Sequence, residues 1–162
     1  VKYLVAAAIV LTGLGVWFRL EATSLWDDPA TGNQALVDPA ATSKVVGDVN
    51  AALGQVFSYR YDNTAATEQA ARQALAGNAR NQYDDLFAQV KSQAPAQKLM
   101  LTTKVVDSGV TLLQGEHAQL LVFLDQRATR GDTDRSSVAA AELTVTAQRQ
   151  GGRWVITDLR TK

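Results

Sequence analysis

The chain has 162 residues, no cysteine, and 16 basic side chains balanced by 16 acidic ones. Lacking Cys, it has no disulfide, thiolate metal site or cysteine nucleophile. The two charge signs are interspersed, so neither a nucleic-acid surface nor an acidic tail is expected, and no nucleic acid is expected as partner.

Tyr3 to Phe18 carries no charged side chain, and Arg19 ends the run. At about 1.5 Å rise per residue this stretch spans roughly 24 Å, slightly short of a hydrocarbon core of about 30 Å. Val1 and Leu20 extend it, and Lys2 and Arg19 can snorkel to the two interfaces, where the rings of Tyr3 and Trp17 also favour lying. Residues 1–20 therefore read as a transmembrane anchor. A cleavable signal peptide is the nearest rival, although Glu21-Ala22-Thr23-Ser24 fits a cleavage site poorly. Leu4, Ala7, Leu11, Leu14, Trp17, Phe18 and Arg19 are the candidates for anchoring and for contact with a partner helix. Ala6, Ala7, Ala8 and Gly13 leave room for close packing. One Lys and one Arg give no asymmetry from which to read orientation.

Residues 21–37 are polar and broken by Pro29, and read as a membrane-proximal linker. Residues 38–162 are long enough for one domain with a core. Asp38-Pro39 is a strong helix start, with a carboxylate at the N-cap and Pro at the first helical position. Val45, Val46, Val49, Leu53, Val56 and Phe57 then recur at three-to-four spacing, one apolar face. Gly47 and Gly54 each lower helix propensity by up to about 1 kcal/mol, so packing must hold this helix. Ser58 to Asn63 interrupts the pattern. Thr64 is placed to cap an Ala-rich second helix running to about Leu75, which Ala76-Gly77-Asn78 ends. A third helix carries Tyr83, Leu86, Phe87 and Val90 and weakens before Pro95.

From Lys98 the period changes to two. Leu99, Leu101, Thr103 and Val105 alternate with polar or outward positions, Gly109 marks a turn or bulge, and Val110, Leu112 and Leu113 read as a short strand. Gly115-Glu116-His117 reads as a turn. Ala118 to Gln126 is apolar enough for a central strand with both faces partly covered. A charged loop at Arg130 to Arg135 precedes a half-buried strand containing Leu143, Val145 and Ala147. Gly151-Gly152 then makes a hairpin into Trp154, Val155, Ile156 and Leu159. Helices first and antiparallel strands afterwards give an α+β domain with the helices on one sheet face.

SYRYDN at Ser58 to Asn63, the Leu75-Ala76-Gly77 step, Asn81 to Phe87, VVDSGV at Val105 to Val110, LLVFLDQ at Leu120 to Gln126 and GGRWVITDL at Gly151 to Leu159 occur in an informative order. Together they resemble the Mce-associated membrane proteins of actinobacteria, over most of the chain except residues 21–38. The resemblance implies a cone-shaped, nuclear transport factor 2-like α+β fold with helices on a curved antiparallel sheet. It also implies a single-pass protein of the inner membrane whose C-terminal domain is extracytoplasmic. The role implied is that of a non-catalytic accessory subunit of an Mce-type ABC lipid importer. Its partners would be the permease subunits, the Mce proteins and membrane lipid.

The same cone fold carries enzymes whose pockets combine a carboxylate with Tyr or His, so chemistry has to be considered. The candidate pocket or core cluster is Tyr59, Tyr61, Asp107, Asp125 and Trp154. Asp107 or Asp125 facing a cone interior would have a raised pKa and could act as a base, whereas at a wet strand end it would not. Tyr59 and Tyr61 around Arg60 and Asp62 look enzyme-like, but such rings also seal the end of a helix–sheet core. His117 is expected to be exposed. One His and no H-E-x-x-H or phosphate loop leave no metal, cofactor or catalytic assignment. Two other readings stay open: a small-molecule or lipid-binding domain using the cone pocket, and a homo-oligomeric envelope scaffold. An apolar cavity with a tyrosine or aspartate turned inward would favour the first.

Overall fold

The computed structural model describes residues 32–133 and 135–161, apart from the side chains of Gln93 and Gln97. The chain divides into two compact units at Asn33/Gln34, and the second, Gln34–Lys162, is the one described here. The anchor candidates Leu4, Ala7, Leu11, Leu14, Trp17, Phe18 and Arg19 lie outside the described residues. Among the described residues no helix is long and apolar enough to cross a membrane.

Helix α1 (Pro39–Val56) starts as its sequence dictates, with the Asp38 carboxylate accepting from the Ala41 N–H at 2.9 Å and Pro39 opening the first turn. Its buried stripe is Val45, Val49, Ala52, Leu53 and Val56. The residues just before Asp38 join the same unit: the Gln34 N–H donates to the Leu113 carbonyl at 2.7 Å, and Ala35 is buried.

A two-residue strand, β1 (Tyr59–Arg60), forms in the Ser58 to Asn63 interruption, so one strand lies among the three helices that were expected to precede them all. Helix α2 (Thr64–Ala74) begins one residue earlier than a Thr64 cap would allow. Asn63 occupies the cap position, and the Thr67 hydroxyl donates instead to the Ser58 carbonyl at 2.8 Å. Gly77 breaks the run with φ +55 and opens α3 (Gly77–Gln97), while the Ala76 N–H donates to the Ile156 carbonyl at 2.9 Å. This corner is thereby fixed to the sheet. Helix α3 continues past Pro95, contrary to the sequence reading. Pro95 falls in its last turn, Ala94 is fully buried there, and the left-handed Lys98 closes the end. The Lys98 carbonyl accepts from the Gly131 N–H at 3.0 Å.

The strands β2 (Leu99–Gln114), β3 (His117–Arg130), β4 (Ser136–Gln150) and β5 (Arg153–Thr161) form an antiparallel meander in the order β1-β2-β3-β4-β5. Of the turn or bulge expected at Gly109 the structure shows the bulge, and the short strand expected after it is part of one long strand. β2 has register shifts between Val105 and Asp107 and between Val110 and Leu112, on either side of Gly109. Each bulge adds one residue and reverses which parity faces inward. Thr103 and Val105 therefore share the inner face with Ser108 and Val110 after the first shift, and with Leu113 after the second.

On β3 the inner residues are Ala118, Leu120, Val122 and Leu124, all buried, whereas Phe123 on the other face is 41% exposed. The central strand is thus covered on one face only, which corrects the expectation of two. All three helices contribute to the single core on that inner face, with Leu143, Val145, Ala147, Trp154 and Ile156 from β4 and β5. Thr103 joins helix to sheet: its hydroxyl donates to the Phe57 carbonyl at 2.6 Å, and its N–H donates to Ser58 Oγ at 2.9 Å.

Two glycines separate backbone strain from helix propensity. At Gly77 a Cβ would sit 3.3 Å from the Thr157 carbonyl oxygen at positive φ, while at Gly47, mid-helix and exposed, it would meet nothing within 4 Å. Urea unfolding is expected to show Gly77→Ala losing about 1–2 kcal/mol and Gly47→Ala gaining up to about 1 kcal/mol. Equal effects would contradict this assignment.

Candidate functional site

The inner face does not close everywhere. Between the end of α1, α3 and the sheet lies a cavity of about 480 Å³. Val56, Tyr83, Phe87, Leu124 and Leu143 are buried walls, Tyr59, Val90, Leu101, Ala141 and Leu159 are half-buried, and Gln82, Leu86 and Thr161 are exposed at the mouth. Leu86 is 55% exposed although it lines an apolar space. None of the described lining residues carries a charge.

Local sequence explains each wall. Tyr83 and Phe87 are four residues apart on α3 and so stack on one face, with centroids 5.0 Å apart and planes 16° from parallel. Tyr59 comes from β1 and meets Phe87 edge-on at 6.1 Å and 80°. Its register opposite Leu101 fixes it to the sheet edge. The Gln126 amide donates to Thr103 Oγ1 at 3.2 Å and is thereby partly satisfied. The Tyr83 hydroxyl is buried without a hydrogen-bond partner. Burial pushes the Tyr83 phenol strongly above its ordinary 10.0, reinforced by the nearby Glu68 and Asp84 carboxylates, and burial raises Tyr59 as well.

The five residues proposed as a pocket or core cluster do not come together. Tyr59 lines the cavity, and Tyr61 is half-buried outside the cavity lining. Trp154 is buried elsewhere, bordering Ala52, Ala70 and Ala74 of α1 and α2. Asp107 and Asp125 are exposed on the outer sheet face, opposite Phe123 and Lys104 respectively. They lie in mid-strand rather than at strand ends, and the first bulge puts Asp107 on the outward parity. An inward-facing base at either position is therefore excluded.

In SYRYDN the polar pair serves itself: Arg60 and Asp62 form an exposed ion pair at 2.9 Å, an arrangement typically worth little. His117 is exposed at the start of β3 rather than in the turn, against Gln148 at 2.8 Å. Among the described residues no group of His, Asp and Glu could hold a metal ion. The sequence reading missed the walls from Leu101, Leu124 and Ala141. The signal for them was the inward parity of β2, β3 and β4, but which inward residues face the gap under α3 depends on where that helix lies.

No protein-family model matches the chain. An uncharacterised protein of Mycobacterium tuberculosis is 37% identical over 103 residues, 63% of this chain and 47% of that relative. The chain thus spans about half the length of the first curated relatives it matches. A second M. tuberculosis protein, named an outer membrane protein, is 29% identical over 151 residues, 92% of this chain and 91% of its own length.

Among solved structures, an IcmL-like type IV secretion system protein of Legionella pneumophila superposes with a TM-score of 0.62 at 11% identity, over 76% of this chain and 91% of its own. The VirB8 protein of Agrobacterium tumefaciens gives 0.56 at 15% identity, over 74% and 90%. The domain therefore has the nuclear transport factor 2-like α+β fold, with helices on a curved antiparallel sheet.

Because the folded state holds the Tyr83 proton more tightly than the unfolded chain does, stability must fall as pH rises past 10.0, where only the unfolded tyrosine ionises. Tyr83→Phe removes that dependence together with an unpartnered buried hydroxyl. Its expected cost at neutral pH is within about 1 kcal/mol of zero, and its unfolding midpoint should drop less than that of the parent above pH 10.0. A parallel drop in both proteins would show that Tyr83 titrates freely.

Proposed function

We propose that this chain is a non-catalytic accessory subunit of the cell envelope that binds and stabilises an Mce-type ABC lipid importer. The observation that carries the envelope part of the reading is the likeness to a mycobacterial protein named an outer membrane protein along 92% of the chain. It is supported by the resemblance of SYRYDN, VVDSGV, LLVFLDQ and GGRWVITDL to the Mce-associated membrane proteins. The outward placement of Asp107 and Asp125, in a fold whose enzymes turn a carboxylate inward, favours a binding role over an acid–base one. In this reading residues 1–20 form a single-pass anchor in the inner membrane, with the permease subunits and Mce proteins as partners. A contact in the membrane and a second through the domain, held on one chain, raise each other's effective concentration.

Gentle-detergent purification of the tagged full chain, followed by mass spectrometry, is expected to recover permease and Mce subunits. Replacing residues 3–18 with an unrelated apolar anchor should reduce that recovery while leaving the chain in the membrane. Stoichiometric recovery of this chain with copies of itself alone would refute the accessory role and favour a homo-oligomeric scaffold.

A further inference from the structure

We infer that the cavity between α3 and the sheet is a binding site for the apolar chain of a neutral amphiphile, with the ligand's polar end held at the mouth by Gln82 and Thr161. This goes beyond the accessory role and does not depend on it.

The volume of about 480 Å³ lies in the range of roughly 300–1,000 Å³ found for small-molecule sites. Protein interiors are otherwise close-packed, and walls facing an empty space forfeit dispersion contacts. The lining is mostly apolar, with Val56, Phe87, Leu124 and Leu143 as deep walls and Gln126 and the tyrosines as its few polar groups, so water filling it finds few partners. An alkyl chain gains hydrophobic free energy with every methylene it moves from water onto these walls.

The mouth sets the polarity of the other end. Gln82 and Thr161 are exposed there and offer neutral donors and acceptors, and no described lining residue is a cation that would hold a carboxylate or phosphate. Leu86 beside them extends the apolar wall outward, so a chain entering the site stays partly shielded along its path. An alcohol, amide or ester fits this arrangement, and a fatty acid anion does not.

The full chain, reconstituted in phosphatidylcholine nanodiscs, would be irradiated with a photoreactive dodecanol and its adducts mapped by peptide mass spectrometry. Adducts are expected to concentrate on α3 and on the cavity residues of β4 and β5. Excess dodecanol should suppress them by about tenfold, and dodecanoate at equal bilayer loading should suppress them far less. Ala141→Phe, which fills the cavity, should lower cavity adducts by about tenfold without changing labelling elsewhere. Thr161→Trp narrows the mouth from an exposed position and gives the same reading if the core substitution impairs folding. Labelling with no excess at the cavity, or cavity labelling that survives both substitutions, overturns the site. Equal competition by dodecanoate overturns the neutral headgroup.

Discussion

The apolar stripe of α1 against the inner face of the sheet is the contact on which the domain depends. Val45, Val49, Leu53 and Val56 are at most 1% exposed, and their burial outweighs the low propensity that Gly47 and Gly54 impose on the helix. A Cβ on Gly54 would lie 3.8 Å from the Thr103 carbonyl oxygen, ordinary van der Waals contact, so this face of α1 lies directly against β2. Thr103 in turn holds Phe57 and Ser58 through its hydroxyl and its N–H, so the exit of α1 and the entry of β1 are fixed to β2.

That anchoring determines where the core is full and where it is not. On one side, Trp154 and the small residues of α1 and α2 join the core and border only a smaller pocket of about 190 Å³. On the other, Tyr83 and Phe87 stack on α3, and the cavity lies between them and Leu101, Leu124, Ala141, Leu143 and Leu159 of the strands. An apolar cavity walled by rigid aromatic rings and a paired sheet has no easy route to collapse. The unpartnered Tyr83 hydroxyl belongs to the same wall and marks a polar atom kept out of water.

Much of the fold was legible because hydrophobic period and cap chemistry are local. Asp38-Pro39 starts α1, Gly77 breaks the helical run, Gly151-Gly152 turns β4 into β5, and Leu143, Val145 and Ala147 alternate as the inner face of β4. Gly109 read as a turn or bulge because the alternation of β2 fails beside it, and only pairing with β3 discloses that the failure comes from two bulges inside a continuous ladder, so that Leu99 to Gln114 is one strand rather than two. Pro95 read as a stop, yet a proline in the last turn disrupts little when the helix end is packed and capped.

The candidate site was much less visible. Tyr59 was named for its place in SYRYDN, and it does line the cavity, but the carboxylates grouped with it stand on the far face of the sheet. By itself the sequence determined the α+β order, the start of α1, the half-buried alternation of β4 and the balanced charge, because those follow from spacing and side-chain type. Only the tertiary structure decided which parity of β2 faces inward, which aromatic rings meet, and that space remains between them. Those depend on register and helix placement, which are set by contacts between residues far apart in the chain.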